Sequence, residues 1–214
     1  MNVLNEYSQL KEVAIRSPLF SFINNGKLLR EWKALRFHSK PDLKQAINEY
    51  AYFRGLLEDD GISIIDLPSS ELLTIDSIYT RDSILISKEG LILCNMGRSS
   101  RTPEAKENFN TLSSKGYKIA GQIKAPGTLE GGDFIWIDNH HAAVGLGPRT
   151  NAEGIRQLKE ILGSSVELHV VNLPEPSHPD DVLHLMSIIS PLDVDLALIY
   201  KPFMPDSFIS WLLK

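Results

Sequence analysis

Asp133-Phe134-Ile135-Trp136-Ile137-Asp138-Asn139-His140-His141-Ala142-Ala143-Val144 sets an acidic residue before an apolar run, a short polar turn and a second apolar run. Two apolar runs joined by a polar turn read as a β-hairpin. The same pattern opens at Asp82, with Ile84-Leu85-Ile86 and Leu91-Ile92-Leu93, and at His184, with Ile188-Ile189 and Leu196-Ala197-Leu198-Ile199. Asp82, Asp133 and His184 fall at equal intervals of 51 residues, and each hairpin leads through a Pro-bearing loop into a helix-patterned segment. A repeat at fixed period marks one supersecondary unit repeated about an axis, because a single unit cannot bury its own apolar face. In a ring of such units the equivalent strand ends converge on a centre. Two carboxylates and an imidazole would then meet there, which is the material of a catalytic site.

The rest of the chain fits between these anchors. Residues 10–15 read as a strand and residues 17–27, with Pro18, Asn24, Asn25 and Gly26, as a loop. From Pro41-Asp42 to Gly61, Leu43, Ala46, Ile47, Tyr50, Phe53, Leu56 and Leu57 recur at helical spacing, and residues 62–67 form a short strand. The second unit has a helix over 103–114 ended by Gly116 and a strand over 117–123. The third has a helix over 152–162 ended by Gly163 and a strand over 166–171. The fourth opens at His184 and reaches a helix at Pro205-Asp206, with Phe208, Ile209, Leu212 and Leu213 on its apolar face. Lys214 then ends the sequence before a closing strand, so the expectation is a single domain over 1–214, truncated at its C-terminus.

Composition narrows the function. The 214 residues are 43% hydrophobic and 23% charged, enough for one sizeable core. Acidic residues outnumber basic ones 27 to 22, with no segment concentrating Lys or Arg, which argues against a nucleic-acid partner. Glu6, Lys11, Glu12 and Arg16 interrupt any signal-peptide core and no run is long enough to span a bilayer, so no membrane association and a cytoplasmic location are expected. The one cysteine, Cys94, excludes an internal disulfide and reads as a small buried hydrophobe at the end of a hairpin strand.

Glu130-Gly131-Gly132-Asp133 puts two carboxylates around two glycines, which let the backbone turn sharply and approach a ligand closely, so both acids can face one cation. Asp82 supplies a further carboxylate one unit earlier. Arg101 follows Asp82 by 19 residues and Arg149 follows Glu130 by 19. Convergent acids with two arginines suit a zwitterion, cationic at one end and carboxylate at the other, since Arg clamps a carboxylate through parallel hydrogen bonds. His184 shares the register of Asp82 and Asp133, and its natural role is general acid and base. His140, His141, His169 and His178 show no metal-ligand spacing, so no metal and no cofactor are expected.

Tyr79-Thr80-Arg81-Asp82, Glu130-Gly131-Gly132-Asp133, Gly145-Leu146-Gly147-Pro148-Arg149-Thr150-Asn151 and His184-Leu185-Met186-Ser187 together resemble the amidinotransferase and dimethylarginine dimethylaminohydrolase branch of the guanidine-modifying, pentein-fold superfamily. The resemblance runs from about Glu6 to Lys214. It implies an α/β fold, a propeller-like ring of pseudo-symmetric ββαβ modules around a substrate channel, incomplete in this chain. It also implies a cysteine thiolate that attacks a guanidinium carbon through a covalent thiouronium intermediate. Carried over by motif, Asp82 and Glu130 bind and polarise the guanidinium, His184 protonates the leaving amine and then activates water, and Asp133 supports them. Arg101 and Arg149 hold the substrate carboxylate, with Arg98 the alternative to Arg101.

Arginine deiminases and creatine-forming amidinotransferases usually carry an Asp two positions after the histidine. Met186 stands there, and the His-Leu-x-Ser form looks more like dimethylarginine hydrolases. Nothing here matches the family's C-terminal nucleophilic cysteine, so this chain by itself is expected to lack turnover. The expected function is therefore that of a cysteine-dependent hydrolase of guanidino compounds giving citrulline and an amine. Amidino transfer to an acceptor amine and catalytically inactive binding of an arginine analogue are the alternatives. The partner is a small guanidino substrate, a homo-oligomer is compatible with the sequence, and residues 17–27 are the candidate lid.

Overall fold

The computed structural model describes residues 4–175 and 183–213, so His178 and Lys214 lie outside the described residues. The chain is an α/β protein that divides into two compact units, one of Met1–Ser8, Arg81–Ser99 and Gly116–Lys214, the other of Gln9–Thr80 and Ser100–Lys115. Among the described residues no helix is long and apolar enough to cross a membrane.

In the second of these units β1 (Glu12–Ile15) pairs in parallel with β2 (Ser63–Asp66), Glu12 opposite Ser63 and Ile15 opposite Asp66. Between them run α1 (Pro18–Ser21), α2 (Asn25–Glu31) and α3 (Leu43–Asp59), and later in the chain comes α4 (Glu104–Ser114). Residues 17–27 are thus not the loop that Pro18, Asn24 and Gly26 suggest. Ser17 caps α1 through Leu19 N with Pro18 in the first turn, and the Asn24 side chain caps α2 through Lys27 N, so the turn-forming residues start helices instead. Phe22 and Leu28 pack with Leu35 and Ile75 in that unit's core. Asp42 caps α3 by accepting from Gln45 N at 2.8 Å, and Gly61 leaves the helix at a positive φ of 73°.

The other unit holds the repeats. β3 (Ile84–Ser87) and β4 (Gly90–Leu93) form an antiparallel hairpin, and β5 (Ile119–Gln122) joins β4 in parallel. One period later β6 (Phe134–Trp136) and β7 (His141–Leu146) form the equivalent hairpin, α5 (Ala152–Leu162) follows, and β8 (Glu167–Asn172) joins β7 in parallel. β9 (Ile189–Asp193) and β10 (Leu196–Ile199) open a third copy, followed by α6 (Asp206–Leu212).

β6 and residues 142–145 of β7 are buried on both faces, which is why β6 reads as a continuous apolar run. Phe134, Trp136, Ala142 and Val144 point into one cluster with Leu85, Ile92, Cys94 and the α5 residues Ile155 and Leu158. Ile135, Ala143 and Val171 point into another with Leu185, Ile188, Ile189 and Phe208. A slip of β6 by one residue would exchange the two sets, so the register is fixed by which side chains each cluster accepts. Trp136 also donates its Nε1–H to the Ile86 carbonyl at 2.9 Å, tying this sheet to its predecessor.

The tight joints in this arrangement are backbone contacts. A Cβ on Gly154, in the first turn of α5, would lie 2.0 Å from the Thr128 carbonyl oxygen, whereas one on Gly55, inside α3, meets nothing within 4 Å. Gly154→Ala should destabilise the protein by about 1–3 kcal/mol through overpacking. Gly55→Ala should stabilise it by about 0.5–1 kcal/mol through the helix's lower backbone entropy cost. Urea midpoints of the two variants, compared with the parent, check both signs.

Candidate functional site

Three short turns carry the site's side chains to the starts of β3, β6 and β9. Thr80–Ser83 ends at β3, Gly131–Asp133 at β6, and Leu185–Ser187, which His184 precedes, stands before β9. Asp133 is the residue immediately before its strand, whereas His184 stands a full turn earlier. It stands before its turn as Glu130 stands before Gly131–Asp133. The serine of His184-Leu185-Met186-Ser187 shapes the turn after His184: Ser187 Oγ accepts from the His184 amide at 3.3 Å and its own amide donates to the His184 carbonyl at 2.9 Å.

Asp133 is fully buried. Its Oδ1 accepts from the Leu185 amide at 3.2 Å and lies 3.0 Å from His184 Nδ1, while Oδ2 accepts from Thr150 Oγ1 at 2.7 Å. Glu130, also with no exposure, accepts from the Arg98 amide at 3.0 Å and from Arg149 Nη1 at 3.1 and 3.3 Å, and its Oε2 stands 3.5 Å from His184 Nε2. The Gly132 amide donates to Asp82 Oδ1 at 3.0 Å.

The two glycines are required here for space. A Cβ on Gly131 would come to 2.2 Å from the Arg81 carbonyl oxygen, and one on Gly132 to 2.9 Å from both Asp82 Oδ1 and His184 Cγ. The neighbouring loops close in by polar contacts. Asn151 caps α5 by accepting from Gly154 N at 2.8 Å and also accepts from Thr128 N at 3.0 Å, which sets Thr150 and Arg149 beside the Gly-Gly turn.

One oxygen or nitrogen each from Asp82, Glu130 and His184 lie within 4.8 Å of one another, a cluster sized for one cation. The expectation of no metal rested on the spacing of the other histidines and did not weigh this trio. The cation that Glu130 holds in this structure is a guanidinium, that of Arg149. Buried carboxylates need such partners, because an unpaired charge away from water is costly.

The structure brings together five of the six residues singled out by sequence: Asp82, Glu130, Asp133, His184 and Arg149. Arg101 belongs to the other unit, where its buried guanidinium pairs with both oxygens of Glu104 at 2.8 Å and donates to the Tyr79 carbonyl at 2.8 Å. Arg98 contributes its backbone amide to Glu130. Thr150, inside a motif the sequence reading quoted but without a role of its own, turns out to touch both buried carboxylate residues. Cys94 is buried in the apolar cluster, and burial, with Asp82 and Glu130 adding to it, pushes its thiol well above the ordinary value. It is not a thiolate poised for attack.

The arginine deiminase family model matches residues 75–214, well over half of the chain. The chain belongs to the arginine deiminase family. Within that family it is 34% identical over 139 residues to the N(G),N(G)-dimethylarginine dimethylaminohydrolase of Pseudomonas aeruginosa, an alignment covering 62% of this chain and 54% of the relative. The Pseudomonas aeruginosa dimethylarginine dimethylaminohydrolase solved as a cysteine-to-serine mutant with citrulline superposes with a TM-score of 0.72 at 28% identity, covering 89% of this chain and 69% of that one. An amidinotransferase from Microseira wollei, of a saxitoxin biosynthetic pathway, shares the fold with a TM-score of 0.74 at 17% identity, over 97% of this chain and 73% of that one. The α/β fold is therefore the one these enzymes share. The chain spans about half the length of the curated relatives it matches.

His184 is set up to hold a proton. Burial lowers its proton affinity, but the Asp133 hydrogen bond and the charges of Asp133, Asp82 and Glu130 outweigh burial and raise its pKa above the ordinary 6.5. The stabilisation this gives the fold is complete below the unfolded histidine value and is lost as pH rises through the raised folded value. Asp133→Asn removes the chief raising contact and leaves Asp82 and Glu130 facing the ring against burial. The His184 ring should then titrate at lower pH in an NMR titration, and the fall in urea stability with rising pH should shrink.

Proposed function

We propose that this family member acts on guanidino compounds as a dimethylarginine dimethylaminohydrolase-like hydrolase, releasing citrulline and an amine. The observation that carries the reading is the buried Glu130 carboxylate, which already accepts a guanidinium beside an imidazole oriented by Asp133. The relatives' chemistry fits: citrulline occupies the Pseudomonas aeruginosa homologue in its solved complex.

In this reading Glu130 and Asp82 bind the substrate guanidinium and draw positive charge toward its central carbon. A cysteine thiolate adds to that carbon, and the C–N bond to the leaving amine breaks as His184 Nε2–H gives that nitrogen its proton. The product of this half is a covalent thiouronium. Neutral His184 then takes one proton from water as its oxygen bonds to the carbon, and as the C–S bond breaks the added hydroxyl gives up its remaining proton to solvent, where the released amine takes one up, giving citrulline and regenerating the thiolate. A positioned acid and base of this kind contributes roughly 10²–10⁴-fold. Cys94 is sealed in the core and is the one cysteine of the 214 residues, so the attacking thiolate is another cysteine, supplied from outside them. The reading includes one guanidine-modifying domain of ββαβ modules in a propeller-like ring, which is open beside β10, where no third strand joins the pair among the described residues.

Arg149 holds the substrate carboxylate in this scheme, and to do so it exchanges Glu130 for the ligand. Arg101, buried on Glu104, would serve only by a similar exchange, and Arg98 remains its alternative.

Two outcomes test the proposal. The 214-residue protein should bind citrulline and methylated arginines, with the His184 ring signals shifting in NMR, and should release no citrulline from methylarginines in a colorimetric assay. Absence of binding would remove the guanidine reading, and turnover would show that the nucleophile lies within the chain after all. Arg149→Ala should weaken ligands bearing an α-carboxylate by about 2–5 kcal/mol, the loss expected for a charge-assisted pair. Guanidinium ion and agmatine should bind at least as tightly as before, because Glu130 is released to them. Calorimetric titration of the two ligand classes gives the comparison, and equal losses for both would mean that Arg149 does not read the carboxylate.

A further inference from the structure

We infer that Thr150 is a positioning residue that sets the direction of the hydrogen-bond chain behind His184, so that the imidazole keeps its proton on Nδ1 and turns Nε2 toward Glu130. The inference rests on the reading of His184 as the proton-transferring group, and its basis is a set of buried contacts. Thr150 has no exposed surface. Its Oγ1 lies 3.1 Å from the Glu130 amide nitrogen and 2.7 Å from Asp133 Oδ2.

The direction of each bond follows from what the groups can do. A backbone N–H only donates, so at Glu130 the threonine oxygen is the acceptor, and its own proton goes to Asp133 Oδ2. That oxygen is therefore an acceptor. The other oxygen, Oδ1, accepts from the Leu185 amide at 3.2 Å, again from a group that only donates. With both oxygens of Asp133 committed as acceptors, the proton in the 3.0 Å contact to His184 belongs to the ring, on Nδ1. Two main-chain amides, Glu130 and Leu185, thus fix the tautomer of a side chain, and the Thr150 hydroxyl relays the first of them to Asp133. The remaining nitrogen, Nε2, stands 3.5 Å from Glu130 Oε2, where a proton can be given and taken. The same hydroxyl holds the backbone of the guanidinium-binding carboxylate and the side chain of the imidazole-holding one, so it also sets their spacing.

The test compares Thr150→Ser with Thr150→Ala. Both delete the methyl group, and the alanine lacks the hydroxyl as well. With ¹⁵N-labelled histidine, the two ring nitrogen shifts recorded above the titration of His184 report the tautomer, and exchange of the Nδ1 proton with solvent reports how firmly it is held. The parent and Thr150→Ser should show the Nδ1–H form with a protected proton. Thr150→Ala should show growth of the Nε2–H form and exchange faster by roughly tenfold, the scale of one buried hydrogen bond. If the alanine variant fails to fold, Thr150→Val, which fills the original volume, takes its place against the parent. A hydroxyl-free variant that stays folded and matches Thr150→Ser in both tautomer and exchange rate would overturn the inference. None of these readouts needs a guanidino ligand, so failure to bind one would count against the proposed function and leave this result standing.

Discussion

A carboxylate with no access to water must be satisfied by the protein, and Asp133 is satisfied from three directions at once. Thr150 arrives from the loop after β7, while Leu185 and His184 arrive from the turn before β9. Their demand for one small acceptor holds those segments to the start of β6. Glu130, three residues earlier, imposes the same discipline on Arg98 and Arg149. The Gly131-Gly132 step between them is the only backbone slim enough to pass between the Arg81 carbonyl and the His184 ring. Remove the burial of these two acids and the neighbouring loops would have no common point on which to close.

The repeat explains where the groups stand, and its breaks explain what they do. Asp82 and Asp133 occupy equivalent places, yet one accepts from a backbone amide at the glycine turn while the other is enclosed by side chains of two neighbouring loops. His184 stands just before the turn that leads to β9, whereas Asp82 and Asp133 lie within theirs. Symmetry brings like positions together, and chemistry needs them unlike: one group to bind charge, one to orient, one to carry a proton.

Much of this was readable from residue order. The hairpins, the helices ended by Gly61, Gly116 and Gly163, and the convergence of Asp82, Glu130, Asp133 and His184 all follow from period, capping and register, which are local or repeating signals. Residues 17–27 misled because Pro, Asn and Gly mark helix starts as readily as loops, and only the Ser17 and Asn24 cap bonds tell the two apart. Arg101 matched Arg149 in spacing but not in surroundings, since its partner Glu104 is set by the turn into α4. Thr150 had no signal of its own. A threonine beside an arginine is ordinary in sequence and acquires meaning only when the carboxylate above it is known to be buried.

Cys94 carries a consequence of a different kind. Its thiol is enclosed among Leu85, Ile92, Met96 and Phe134, and it is held in the protonated form by its surroundings. The chain therefore presents thiol-directed alkylating reagents with no reactive thiol on its native surface, since Cys94 is its one cysteine. A cysteine introduced anywhere on that surface would be chemically unique, and a fluorophore or spin label attached to it would report from one known position without competition from the protein's own thiol.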